Sequence, residues 1–315
     1  MSATDCHNIK TVDVLSLDSI RSSLIRQEET IIFALIERAQ FRQNEIVYRK
    51  GGFGNLGTPV GSTSVEDHDL SFMEYMLVGT EALHCGVRRY TSPEEHAFFP
   101  ERLPYGQMDA LPLLEYPQEL LSSVGGACDL NFNKALLQNY VEKIVPSVSK
   151  QGDDEQHGST VLCDIAALQA LSRRIHYGKF VAESKYRSDP SGYQQLVDAN
   201  DADGVMKLLT NRVVEEKVIR RAKLKAATYG TEPLLSEMPP IKGADTTSIV
   251  AAAAASAVVA ALEAIGEDKS RPGKIDPTVI ESVYRDIVIP LTKVIEVAYL
   301  FRRCGREPPP EYQLC

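Results

Sequence analysis

Residues Leu171–Arg187 read LSRRIHYGKFVAESKYR, and the reading of this run decides how the rest of the chain is understood. It lacks proline, is rich in helix formers and carries Arg173, Arg174, Lys179, Lys185 and Arg187. Arg174 and Lys185 are eleven positions apart, close to three turns, so one helix projects both from one face roughly 16 Å apart. Val181 and Ala182 lie in the intervening turns and let a ligand approach. Such a face suits a small dianion, because arginine grips a carboxylate through two parallel hydrogen bonds and lysine adds a movable point charge. A solvated basic face beside a core stripe of Leu168, Leu171, Ile175 and Phe180 is the plainer reading of the same residues.

Composition narrows the choices. The formal net charge of −9 argues against a general nucleic-acid binder, so any basic site is a local pocket in an acidic protein. Cys6, Cys85, Cys128, Cys163, Cys304 and Cys315 are scattered, with no CxxC pair and no clustering with histidine. That pattern fits reduced thiols and neither a disulfide framework nor a metal site. The opening MSATDCHNIKTVDV has no apolar run and reads as neither a secretory nor an organelle signal, so a cytoplasmic location is expected.

Outward from the central run, the chain reads as helix after helix. Ser16–Phe41 carries Ile20, Leu24, Ile31 and Leu35 at helical spacing, capped by Ser16 or Asp18, with Arg21 in the first turn. The linker KGGFGNLGTPVGSTS contains a formal GxGxxG at Gly52–Gly57, but no helix opens there and Pro59 follows; it reads as a flexible loop. A helix resumes over Val65–Tyr90 with Phe72, Met76, Leu83 and Val87 as its apolar side. Ser92–Tyr116 is proline-interrupted and irregular, burying Phe98, Phe99, Leu111 and Leu113. Asn131–Lys150 is helical with an interruption near Pro146; its SxxK match at Ser147–Lys150 lacks the companion motifs of such enzymes. Two short helices follow Pro190, then a helix from Thr210 to about Tyr229. The uncharged run Thr246–Leu262 is an alanine-rich surface helix or insert rather than a membrane span. The last helix, Asp276–Arg303, kinks at Pro290. The fold class is all-α: one domain over residues 1–315 of long packed helices, expected as a dimeric bundle. Residues 1–14 form a flexible N-terminus, 231–274 a loop with the insert, and 305–315 a flexible tail.

Four helices thus present polar groups that share a face: Arg21; Arg174 with Lys185; Asn211 with Glu215; Thr292 with Glu296. In a bundle core they make a pocket of cations, carboxyls and neutral donors, with no nucleophile–base pair and no metal cage. The segments IRSSLIRQEETIIFALIERAQF, LQALSRRIHYGKFVAESKYR, VVEEKV and IPLTKVIEVAYLFRR resemble, in order, those of the all-helical chorismate mutases of fungi and plants. The alanine-rich insert departs from that pattern.

The resemblance implies an isomerase that turns chorismate into prephenate on the route to phenylalanine and tyrosine, with no cofactor. It implies that Arg21 and Arg174 bind the two carboxylates and that Lys185 and Glu296 donate to the ether oxygen. Glu215 holds the ring hydroxyl, while Asn211 and Thr292 complete carboxylate binding. Glu296 donates only when protonated, so an optimum on the acidic side of neutrality is expected. It further implies a homodimer inhibited by tyrosine and activated by tryptophan, through Arg88, Arg89, Gly158 and Ser159. Glu155-Gln156-His157 replaces an asparagine-containing sequence there, and Leu162 replaces a threonine, which weakens the effector expectation. The alternatives are a catalytically silent module of the same fold that binds amino acids or a protein, and a phosphate-binding enzyme built on the glycine loop.

Overall fold

Ser16 opens the first helix. Its hydroxyl accepts the Ser19 N–H at 3.3 Å, and α1 runs Leu17–Arg38 with Ile20, Ile31, Ile32, Leu35 and Ile36 buried. Asp18 lies in the first turn, where a carboxylate meets the positive end of the helix dipole. The computed structural model describes residues 14–61, 70–104, 120–230 and 274–313. The alanine-rich run and Leu111 and Leu113 lie outside them. The described residues form α-helices, short 3-10 and π turns and loops, with no strand.

The glycine-rich linker is a succession of turns in which Gly51, Gly54, Gly57 and Gly61 take positive φ. Phe53 packs against Phe72 and His157, and no helix opens at Gly57. Next, α2 runs Phe72–Gly86 from a capping box of Ser71 and Glu74. Its buried side is Met73, Leu77, Val78, Glu81, Ala82 and Cys85, which corrects the expected stripe: Leu83 and Val87 are exposed. Apolar residues surround this helix, so spacing alone does not pick the inward face. Phe98 and Phe99 are half-buried, and both N–H groups donate to the buried Glu81, at 2.6 and 3.0 Å.

The third helical segment, α3, joins Asn133–Asn139, a π turn at Tyr140–Ile144, and Val145–Val148. The last segment repeats the device, with Pro277–Val283, a π turn at Tyr284–Val288, and Ile289–Arg303. Both π turns end just before a proline, Pro146 or Pro290. Proline has no N–H to give to the carbonyl four residues back and its ring crowds that carbonyl; widening the preceding turn removes both problems.

Between them, the central run is not one helix. α4 spans His157–His176 and α5 spans Gly178–Ser188, with the joint at Tyr177. Tyr177 keeps right-handed angles (φ −63°, ψ −16°), and the Phe180 N–H donates to its carbonyl at 3.1 Å, tightening the chain locally. Short helices α6 (Pro190–Asp198) and α7 (Ala202–Leu209) follow, capped by Asp189 and Asp201. They lead to α8, Arg212–Gly230; the last segment is α9.

α1 packs along α4, the Ile289–Arg303 part of α9 along α5, and α8 along Pro277–Val283. One continuous apolar cluster runs through these contacts from Leu15 to Phe301. The expected flexible tail is corrected as far as Gln313: Pro308 is buried, Tyr312 packs against the core, and the Gln313 side chain donates to the Pro308 carbonyl.

Candidate active site

Arg174 ends up in the last turn of α4, buried, because the neighbouring Leu171 and Ile175 turn that side of the helix into the core. Its Nη1 donates to Thr292 Oγ1 at a long 3.5 Å, and its Nε has no hydrogen-bond partner among the described residues. Buried arginines normally use most of their five donors. This one is a cation with capacity to spare, and burial pulls its pKa down.

Thr292 and Glu296, one turn apart on α9, are both buried. Burial drives Glu296 up to about 7, against the pull of Lys185, Arg174 and Lys293 and with help from Glu215. Lys185, on α5, donates to the Leu209 carbonyl at the end of α7. Glu215, in the first turn of α8, is paired with Lys293 at 2.8 Å. Arg174, Lys185, Glu215, Thr292 and Glu296 are therefore brought together from four helices. The joint at Tyr177 does not separate Arg174 from Lys185, since both act on the same Glu296 carboxyl.

Two expected members stand apart. Arg21 is about half exposed and pairs with Asp18 at 3.2 Å on its own helix. The Asn211 side chain is exposed and caps α8, accepting the Val214 N–H at 3.2 Å. Sequence reasoning missed the surroundings of Arg174. Glu28, fully buried in α1, takes Arg221 Nε at 2.7 Å and Nη2 at 2.5 Å, and its charge reaches Arg174. The Tyr284 hydroxyl, in the π turn, is buried without a partner among the described residues and also lies within electrostatic reach of Arg174. Spacing offers no clue to either: Glu28 and Arg221 are 193 positions apart.

A cavity of about 430 Å³ lies beside this cluster, lined by Glu215 and Lys293 together with Met206, Ile219 and Pro290. Arg174, Lys185, Thr292 and Glu296 do not line it, so the Lys293–Glu215 pair is the part of the cluster that faces the hollow. Among the described residues no three histidine, cysteine or acidic side chains are grouped to hold a metal.

Known proteins share this arrangement of helices. The family described as chorismate mutase type II matches residues 158–297. The chorismate mutase of Schizosaccharomyces pombe is 39% identical over 296 residues, covering 92% of this chain and 96% of that protein. The crystal structure of Aro7p chorismate mutase from Candida albicans in complex with L-Trp superposes with a TM-score of 0.73 at 36% identity, covering 95% of both chains. A structure of AtCM1 with tyrosine bound in its allosteric site gives 0.70 at 36% identity, over 93% of this chain and 98% of that one.

The chain belongs to the chorismate mutase family.

Within this chorismate mutase chain, the four residues expected to meet an effector do not form one site. Arg89, just past α2, is engaged by Glu95 at 3.0 Å, Gln169 Oε1 at 3.0 Å and His84 Nδ1 at 3.0 Å. Arg88 is buried with a left-handed backbone, φ 59°. Gly158 and Ser159 open α4, eleven and ten residues before Gln169, so roughly three turns separate them from Arg89's contact along that helix. Glu95 also pairs with Arg173, the neighbour of Arg174. No described helix is long and apolar enough to cross a membrane.

Proposed function

We propose that the chain converts chorismate to prephenate, and that the observation carrying this reading is the buried, under-bonded Arg174 facing Thr292, Lys185 and Glu296. The reaction breaks one C–O bond of the substrate while a C–C bond forms within the same molecule, so the protein has two tasks. It must hold a flexible dianion in a compact conformer, and it must meet negative charge growing on the ether oxygen. The spare donors of Arg174 take one substrate carboxylate. Arg21 takes the other by leaving Asp18, an exposed pairing worth only about 0–1 kcal/mol. Lys185 leaves the Leu209 carbonyl for the ether oxygen, and protonated Glu296 donates to the same atom. Glu215, released from Lys293, receives the ring hydroxyl. Asn211 and Thr292 complete the carboxylate contacts. No covalent intermediate or cofactor enters these steps.

The test is loss of chorismate absorbance on adding the purified chain, with Arg174→Ala as control. No turnover by the wild type would instead support a silent helical module.

Tyrosine and tryptophan are proposed as effectors, because related structures hold tyrosine at an allosteric site or are complexes with L-Trp. The separation of Arg88 and Arg89 from Gly158 and Ser159 within one chain is bridged if a second copy supplies one half, which makes the functional unit a homodimer. The exposed Leu83 on α2, Val87 just past its end and Leu162 on α4 are apolar surface for such a contact. Sedimentation, and turnover with each amino acid at millimolar concentration, check both points. Cys85, Cys128, Cys163 and Cys304 are free thiols, in accord with a reducing compartment such as the cytoplasm, which a fluorescent fusion would locate.

A further inference from the structure

Lys179 stands apart from the groups considered so far. It is fully buried, yet no salt bridge is formed by its ammonium among the described residues. With the His96 proton on Nδ1, three acceptors surround the ammonium: the Cys128 carbonyl at 2.6 Å, His96 Nε2 at 2.7 Å and the Leu130 carbonyl at 3.4 Å. An ammonium has three N–H donors and no acceptor, so this shell matches the charged form. The His96 ring stacks on His176, with centroids 4.2 Å apart and planes 7° from parallel. His176 is held at both nitrogens: Nε2 accepts the Phe132 N–H at 3.0 Å, and Nδ1 donates to the Ser172 carbonyl at 2.8 Å.

His176 is the last residue of α4 and Lys179 the second of α5, so this cluster brackets the joint at Tyr177–Gly178. The joint has no slack against α9. A Cβ on Gly178 would lie 2.8 Å from Thr292 Cγ2 and 3.1 Å from the Thr292 carbonyl. Arg174 lies three residues before the joint's first residue, and Lys185 two turns after it.

We infer that Lys179 is a positioning residue for the rearrangement: clasped by His96 and the Cys128 and Leu130 carbonyls, it fixes the α4–α5 joint so that Arg174 and Lys185 address one substrate. This rests on the reading above that Arg174 and Lys185 bind chorismate. An apolar side chain would fill the space at lower desolvation cost. The ammonium adds three directed bonds that hold the joint to residues 128–130 and to the 94–98 loop. The groups acting on it are His96, Cys128, Asp129 and Glu94, with His176 beneath the ring. Burial lowers Lys179 to about 7 and, with Lys179, takes His96 down to about 3, so His96 is neutral and Lys179 is the group that titrates near neutrality.

The experiment measures turnover, KM, melting temperature and pH–rate curves of the full chain. Lys179→Met is expected to lower kcat roughly 10- to 100-fold with KM changed about threefold or less, as for misplaced but intact binding groups. At position 96, Phe keeps a ring on His176 but removes the acceptor, whereas Gln restores an acceptor. In a Glu296→Gln background, which removes the titration of Glu296, His96→Phe is expected to lower kcat and shift the remaining alkaline fall to lower pH. His96→Gln should recover at least half of the lost kcat.

A folded Lys179→Met with wild-type kcat and pH curve overturns the inference. Should that variant fail to fold, identical behaviour of Phe and Gln at position 96 overturns it instead. An inactive wild type would remove the mutase reading and this one together; an active wild type with an unaffected Lys179→Met removes this one alone.

Discussion

Two buried arginines meet the same helix, α4, and could hardly be treated more differently. Arg38 reaches Asp164, in the first half of α4, with Nε at 2.6 Å from the carboxylate. Its other donors go to the carbonyls of Phe41, Arg42 and Gln43, to Ser149 and to Tyr48, while Asp164 also accepts from Tyr48 and Tyr140. Arg174, at the far end of the helix, has one long bond and an unused Nε. A buried charge whose geometry is complete holds the frame together; one left incomplete is ready to bind something that is not yet there.

Exchanging the two tests this contrast most severely. Arg174→Ala is expected to lower kcat/KM by about 10³-fold or more, the scale of removing a charged group that stabilises a transition state, with a small change in melting temperature. Arg38→Leu should do the reverse, losing about 3–5 kcal/mol of stability by stranding Asp164 while the folded fraction keeps its turnover. Thermal melts beside chorismate depletion read both, and a swapped pattern would abolish the distinction.

Glu296 sharpens it. With a pKa raised to about 7, its protonated, donating form prevails below that pH and is lost as pH rises through it. Activity through this donor is expected to fall about tenfold per pH unit on the alkaline side. Glu296→Gln donates at every pH and should make that limb shallower, leaving only the fall owed to Lys179; superimposable curves for the two proteins would remove Glu296 from the ether oxygen.

The smallest effect falls on Arg21. If it swings from Asp18 to the substrate, Arg21→Ala raises KM about tenfold, the worth of a modest charge-assisted hydrogen bond, and leaves kcat nearly unchanged. An unaltered KM would make Arg21 a surface residue.

The fold was legible where one face alone is apolar. Ile20, Ile31 and Leu35 declare the inner side of α1, and Leu168, Leu171 and Ile175 that of α4. It was not legible in α2, where apolar side chains surround the helix and partners distant in sequence decide, leaving Leu83 and Val87 outside. Prolines misled in the tail: PPP suggested disorder, yet a rigid backbone docks readily once Pro308 and Tyr312 find the core. At the candidate site, type and spacing pointed to Arg174, Lys185 and Glu296, although the single helix assumed between the first two is broken at Tyr177. The Glu28–Arg221 pair could not, because only tertiary packing brings it together.

The π turn at Tyr284–Val288 bears on how this molecule tolerates insertions and deletions. Such a turn houses one residue more than the surrounding α-helix needs, and each residue advances a helix by about 100°. Losing one amino acid there would let the coil close toward regular α-form, at the cost of setting the Pro290 ring against the carbonyl a turn back. The residues on either side would keep their phase, so Thr292 and Glu296 would go on facing Arg174, whereas the same loss in a regular α-helical stretch would turn everything beyond it by about 100°.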